Sequence, residues 1–228
     1  PGWGGNLLRG LVHSVEIALG AYGVGILIGT AGAYGKLYGG PVVRDLLEVY
    51  TTLVRAVPEL VLILLLYFAG TDLINRALTA IGYAPVDISG LLAGIIVLGF
   101  VQGAYSTEVL RGAILAVPQG QIEAARAYGM PPGLLLRRIT LPGMLPFAIP
   151  GLANLWLIAT KDTALLAIVG FSELTQTTRQ AAGATKAYFT FFFAAGVLYL
   201  ALTLFSTFII ARVERWSRRG MPSLAESR

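Results

Sequence analysis

Five blocks of mostly apolar residues recur along this chain. Each approaches the length of about 20 residues that a membrane-crossing helix needs. They are Leu11–Tyr34, about Val49–Gly70, Leu91–Leu115, Pro142–Thr160 and Tyr188–Ala211. The first is apolar apart from His13, Ser14 and Glu16 at its start. The second ends in the dense run LVLILLLYFAG, and Pro146 and Pro150 interrupt the fourth. A shorter apolar piece, Ala164–Phe171, cannot span alone; a re-entrant placement is open to it only where protein or a cavity covers its backbone. The pattern predicts an all-α integral membrane protein of about five transmembrane helices, forming a single transmembrane domain over residues 1–228. The largest connection on the side opposite the basic loops, Thr71–Gly90, is short and polar, so no separate soluble domain is expected.

Composition points the same way. Hydrophobic residues make up 56% of the 228 and charged residues only 13%, where soluble domains carry about a quarter charged. The surplus apolar surface needs a solvent other than water. Cysteine is absent, which excludes disulfides and thiolate metal sites. His13 is the only histidine and reads as a boundary residue, since metal sites need several convergent ligands. The opening PGWGGNLLRG lacks the layout of a cleavable signal.

The net charge of +5 reads as basic cytoplasmic loops, with no nucleic-acid partner expected. Placing the N-terminus outside leaves only Arg9, Arg76, Lys161, Arg179 and Lys186 of the 17 Lys and Arg on the outer side. The rest, Arg218, Arg219 and Arg228 among them, fall inside. The expected orientation is therefore N-terminus outside and C-terminus cytoplasmic. Trp3 and Trp216 then sit near the two interfaces, where amphipathic rings concentrate.

One cytoplasmic stretch, QIEAARAYGMPPGLLLRRITLP (Gln121–Pro142), interrupts the apolar pattern. Its alanines favour helix over Gln121–Tyr128. Gly129 is placed to stop that helix in a left-handed conformation, and Pro131-Pro132 turns the chain. A second short helix over Gly133–Thr140 is expected before Pro142 opens the next span. Two short helices about a rigid turn make a shaped knob, with small side chains at Ala124 and Ala125 allowing close approach by another protein. From the residues alone, an ordinary interfacial loop explains the stretch equally well.

The stretch resembles the EAA signature of bacterial ABC-importer permeases: Glu123-Ala124-Ala125, then Gly129, then Ile139, then Leu141-Pro142. Further stretches are similar to the polar amino-acid permeases of that family, above all the histidine, lysine-arginine-ornithine and opine branch. These are YTTLVRAVPELVLILLLYF, GAYSTEVLRGAILAVPQGQIEAARAYG and KDTALLAIVGFSEL, the last with Ala164 where the family pattern has Ser. The resemblance covers nearly the whole chain. It implies the type I, MetI-like permease fold and a cytoplasmic coupling loop at about 116–141. It implies a role for Glu123, Ala124, Ala125 and Gly129 in coupling to an ATPase. It also implies the partners: two cytoplasmic ATP-binding cassette subunits, a second permease half, identical or related, and a periplasmic amino-acid-binding protein, all in a bacterial inner membrane.

Ionisable groups within spans cost about 2.5–3.5 kcal/mol each on insertion scales, so each needs a reason. Glu59 stands four residues after Arg55, a spacing that shares a helix face. A self-satisfied pair and a carboxylate facing a translocation path are both open readings. Glu108 stands three residues before Arg111, with Gln102 and Tyr105 on roughly the same stripe. An acid, an amide and a phenol on one face suit an ammonium or a cationic side chain. Lys161-Asp162-Thr163 follows the fourth span, where Asp162 and Thr163 read as a helix-opening cap that can also line a path. The expected substrate path therefore comprises Glu59, Gln102, Tyr105, Glu108, Asp162 and Thr163. The pattern Gly25-x-x-x-Gly29 is a close-approach device, compatible with contact inside this chain or with a second subunit.

No catalytic site, metal site or cofactor is expected. The nearest approach to a phosphate loop, GTAGAYGKL, fails at Thr30 and at Leu37. Energy must then come from a partner ATPase. The rival reading is an ion-gradient-driven carrier or channel, in which Glu59, Glu108 and Asp162 serve protons or cations. Five spans without a visible internal repeat are few for such a carrier, and the loop would have no purpose without a cytoplasmic motor.

Overall fold

The structure, a computed structural model, describes residues 2–85 and 89–218. Part of the Thr71–Gly90 connection (residues 86–88), and Arg219 and Arg228 of the basic count, lie outside the described residues. The helices are α1 (Gly4–Tyr38), α2 (Pro41–Ala56), α3 (Glu59–Ala80), α4 (Gly90–Leu115), α5 (Gln119–Ala127), α6 (Pro132–Leu135), α7 (Leu141–Asp162), α8 (Leu174–Thr185) and α9 (Tyr188–Ser217). A π-helical turn, Leu136–Thr140, joins α6 to α7, and a 3₁₀ stretch, Thr163–Val169, follows α7. Five helical segments among the described residues are long and apolar enough to cross a membrane: α1, α3, α4, the run Pro132–Val169, and α9. The all-α, five-span architecture is as the apolar pattern predicts.

Helix α4 is the centre. About three fifths of its most hydrophobic stretch is buried, against about a tenth for α3 and for α9. It packs closely on α1, with glycines of each helix set against side chains of the other. A Cβ added at Gly25 would stand 2.7 Å from Gln102 Cβ, and one at Gly29 would overlap Ser106. The reverse holds at Gly103, where a Cβ would meet Ile28 at 2.6 Å. The Gly25-x-x-x-Gly29 face is thus spent inside the chain. Gly20 faces Ile95, Gly25 faces Gln102 and Gly29 faces Ser106, so α1 and α4 run parallel. Helix α7 runs antiparallel to α4, with Gly151 against Val109 and Gly143 against Val117. Ile17, Ala21, Ile63, Val97, Leu98, Leu166 and Phe171 fill one core between these helices; Ala33, Leu110, Ala113, Val117, Met144 and Ala148 fill another.

Three boundaries differ from expectation. The span expected over Val49–Gly70 is two helices: the chain is extended at Val57 and α3 starts only at Glu59. Pro58 lacks an amide hydrogen and disfavours helix at the residue before it. Arg55 and Glu59 therefore do not share a helix face. The apolar span is α3, and it runs on to Ala80 with Asp72 paired to Arg76 at 2.7 Å. Next, the fourth span does not open at Pro142. Helical backbone is continuous from Pro132 to Asp162, because the π turn absorbs the proline: Leu141 N–H donates five residues back, to Leu136 O. Finally, Asp162 and Thr163 cap no helix start; Asp162 is the last residue of α7, and the chain tightens directly into the 3₁₀ stretch. That stretch contains most of the short apolar piece, and Arg179 donates to its Ala167 carbonyl at 3.3 Å. It ends at Gly170, whose φ of +86° favours glycine.

Replacing Gly29 by Leu overfills the α1–α4 contact, with an expected cost of about 1–3 kcal/mol. Gly23, with nothing within 4 Å of its would-be Cβ, is the control. Thermal stability in detergent, read by fluorescence-detected size exclusion, should fall clearly for Gly29→Leu and little for Gly23→Leu.

Candidate functional site

Two polar clusters lie along α4. The first joins three helices. Gln102 is fully buried by its contact with α1 and donates from Nε2 to Asp162 Oδ2 at 3.5 Å. Its Oε1 has no hydrogen-bond partner among the described residues, although buried polar atoms are nearly always paired. Glu59, the first residue of α3, interacts electrostatically with both Tyr105 and Asp162. Arg55 also acts electrostatically on Tyr105, and Lys161 on Asp162. Glu59, Tyr105 and Asp162 are all partly exposed. The cluster presents two carboxyl groups, a phenol and an unsatisfied amide oxygen, all able to accept hydrogen bonds. A cation carrying several N–H donors matches that set. Thr163 is fully buried and donates back to Thr160 O at 2.9 Å.

The second cluster holds Glu108. Lys36 Nζ, on α1, donates to Glu108 Oε1 at 2.6 Å, to Glu48 Oε2 of α2 at 2.6 Å and to Thr51 Oγ1 at 2.7 Å. Arg111 takes the other Glu108 oxygen at 2.9 Å. The Lys36 side chain is 2% exposed. Glu108 is thus neutralised twice within the chain, and the structure does not bring it to Glu59 and Asp162. The Glu108–Arg111 spacing was readable in the sequence. Lys36 was not: it reads there as one more cation of a basic loop, and nothing local marks its burial.

The stretch 116–141 folds as a clamped knob. Helix α5 turns Ala125 inward, and Ile122 packs on the core of Ala33, Leu110 and Met144. Glu123, Ala124 and Gly129 remain exposed, and Tyr128 is 92% exposed. Of the two alanines expected to admit a neighbour, only Ala124 is accessible, because Ala125 faces the core. Gly129 has φ +74°. Its N–H reaches Arg126 O at 2.9 Å, and Met130 N–H reaches Ala125 O at 3.0 Å. This paired closure is a Schellman stop.

Sequence reasoning also missed Glu173, which is fully buried. It caps α8 by accepting from Thr175 and Gln176 N–H, and it accepts from Ser14 and Tyr199 hydroxyls, so it ties α8 to α1 and α9. Burial raises its carboxyl above the ordinary value, and the four donors oppose that rise. Glutamate is not among the favoured capping residues, so its sequence carries little signal. His13 Nδ1 lies 3.0 Å from Ser172 O close by.

This is the geometry of a multi-pass membrane protein with a shaped loop on one side and a polar cluster between its helices. A family model for the binding-protein-dependent transport system inner membrane component matches residues 21–219. The nopaline transport system permease protein NocQ of Agrobacterium fabrum is 42% identical over 97% of this chain and 95% of its own length. The histidine/lysine/arginine/ornithine transport system permease protein HisQ of Escherichia coli is 40% identical over 94% of each. A crystal structure of an amino acid ABC transporter with histidines superposes with a TM-score of 0.78, at 27% identity, over 92% of this chain and 93% of that one. The chain belongs to this family: it is an inner-membrane permease component with the ABC-importer permease fold.

Removing Lys36 leaves Glu48 and Glu108 without their shared cation. Breaking a buried pair costs about 3–5 kcal/mol, whereas exposed pairs contribute about 0–1 kcal/mol. Thermal denaturation should therefore show a large loss for Lys36→Met and a small one for Glu48→Gln, because the Glu48 side chain is itself 65% exposed.

Proposed function

We propose that this chain is the permease subunit of an ATP-driven importer of polar, cationic amino acids, with opines and the histidine, arginine, lysine and ornithine group as the substrate class. One observation carries the reading. The loop 116–131 is flanked by two helices, α4 and the run from Pro132 to Asp162, and both carry residues of the polar cluster. Gln102 and Tyr105 come from the first, Asp162 from the second. Motion of the loop is then motion of the site. The names of the similar permeases, histidine/lysine/arginine/ornithine and nopaline, support the substrate class.

In this reading one of two ATPase subunits grips the loop through Glu123, Ala124 and the turn at Gly129, with Ala125 holding α5 to the core, and the other serves the second permease half. A second permease half completes the path, and a periplasmic binding protein delivers substrate. The N-terminus is outside and the C-terminus cytoplasmic. Glu59, Asp162 and Tyr105 face the path, with the Gln102 carbonyl behind them and Thr163 holding the end of α7. Glu108 acts one turn further along α4 by fixing the helices that frame the path. The polar cluster alone also fits an ion-coupled carrier, but the exposed, clamped loop favours a cytoplasmic motor.

The test is uptake and ATP hydrolysis by the reconstituted complex with its ATPase and binding protein. Gly129→Asp should abolish most uptake while basal hydrolysis continues. Asp162→Asn and Glu59→Gln should each raise the KM for a cationic substrate about 10-fold or more, since a hydrogen bond to a charged group contributes about 1.5–3 kcal/mol. Uptake that persists without the ATPase and follows a proton or sodium gradient would overturn the importer reading.

A further inference from the structure

An apolar groove of about 510 Å³ lies between α1, α7 and α9 and shares no lining residue with the polar cluster. Val15 and Leu19 of α1, Leu152 and Trp156 of α7, and Phe205 and Ile209 of α9 form its walls. The Tyr22 hydroxyl at its edge is already used, donating to Leu152 O at 3.0 Å. On α9 the lining runs from Leu202 to Val213. At 1.5 Å per residue that is about 16 Å, roughly half the ~30 Å hydrocarbon core, and so the depth of one leaflet.

Where the groove ends, α9 turns basic. Arg212, Arg215 and Arg218 outnumber the one acid among them, Glu214, and among the described residues none of the three forms an ion pair. Arg215, two residues after Val213, stands on the far side of the helix from the groove and donates from Nε to Ala211 O at 3.0 Å. Arg212 stands three residues after Ile209 and seven after Phe205, which keeps it on the groove's side of the helix. Its guanidinium lies 4.3 Å from the centre of the Phe208 ring. Trp216, exposed and four residues on, stands on the same side at the depth where indole rings settle among headgroups.

We propose that this groove is a site for an anionic phospholipid, with one acyl chain in the slot and the phosphate held by Arg212. The charge at its mouth selects this occupant. An apolar slot one leaflet deep, ending beside an arginine without an ion pair, is complementary to a phosphate-headed chain. An apolar protein helix would fill the slot and leave that cation uncompensated. The site does not depend on which amino acid the chain carries or on which face is cytoplasmic.

The assembled complex is reconstituted in bilayers containing a phosphatidylglycerol or a phosphatidylcholine with a photoreactive acyl chain, at equal mole fraction. Crosslinked peptides are mapped by mass spectrometry. Residues 149–156 and 202–213 should crosslink about fivefold more to the anionic probe, the effect of one arginine near the surface. Arg212→Gln should bring the two probes level, and Arg215→Gln, on the far side of the helix, should not. Equal labelling of the unaltered protein would overturn the proposal in favour of unselective bilayer contact. Labelling of α3 with none in the groove would overturn it too, showing that protein covers the slot.

Discussion

The close approach of α1 and α4 sets everything else. Glycines on both helices let the backbones meet along several turns, with Gly25 on Gln102, Gly29 on Ser106 and Gly103 on Ile28. In a membrane there is little hydrophobic drive between helices, so packing of this kind carries association. The parallel pairing requires a return path, which α2 and α3 provide. Lys36 fixes where that return begins, because its buried ammonium holds Glu48 of α2 and Glu108 of α4 together. Helix α7 then closes on the remaining side of α4, which brings Asp162 to Gln102.

Much of this was legible beforehand. Hydropathy located the spans, since chain in lipid must satisfy its own backbone and helices of sufficient length do so. The EAA spacing located the loop, whose Gly129 stop is a local event set by local residues. The misplaced second span has a physical cause. The last turn of α2 is apolar apart from Arg55, so an averaged pattern joins it to α3 across Pro58. The proline was the boundary signal, and it lost to the length of the apolar run. The π turn at Leu136–Thr140 leaves no comparable mark, because it depends on how Pro142 is accommodated.

The polar groups show the sharper limit. Glu59, Gln102, Tyr105 and Asp162 stood out as costly residues in apolar surroundings, and they meet. Glu108 stood out for the same reason but meets Lys36, which sits far away in sequence. A carboxylate's cost reveals that it has a partner without saying whether the partner is a substrate or a lysine. Glu173 is the extreme case, since its four partners come from α1, α8 and α9 and are invisible until the fold brings them together.

In the proposed transport cycle, these packed helices make the chain a lever. The α1–α4 contact, the Lys36 pin and the inward face of α5 resist internal bending, so force on the loop rotates the body against the second permease half. The most direct test uses pairs of spin labels and electron–electron distances, in a chain without cysteines of its own. Gly23 and Gly120 accept labels without crowding. The Gly23–Gly120 distance should stay unchanged between the nucleotide-free and ATP-bound complex. The distance from Gly120 to the matching position on the second half should shorten. A Gly23–Gly120 distance that shifts as far as the other would contradict the lever, showing a loop that bends on its own.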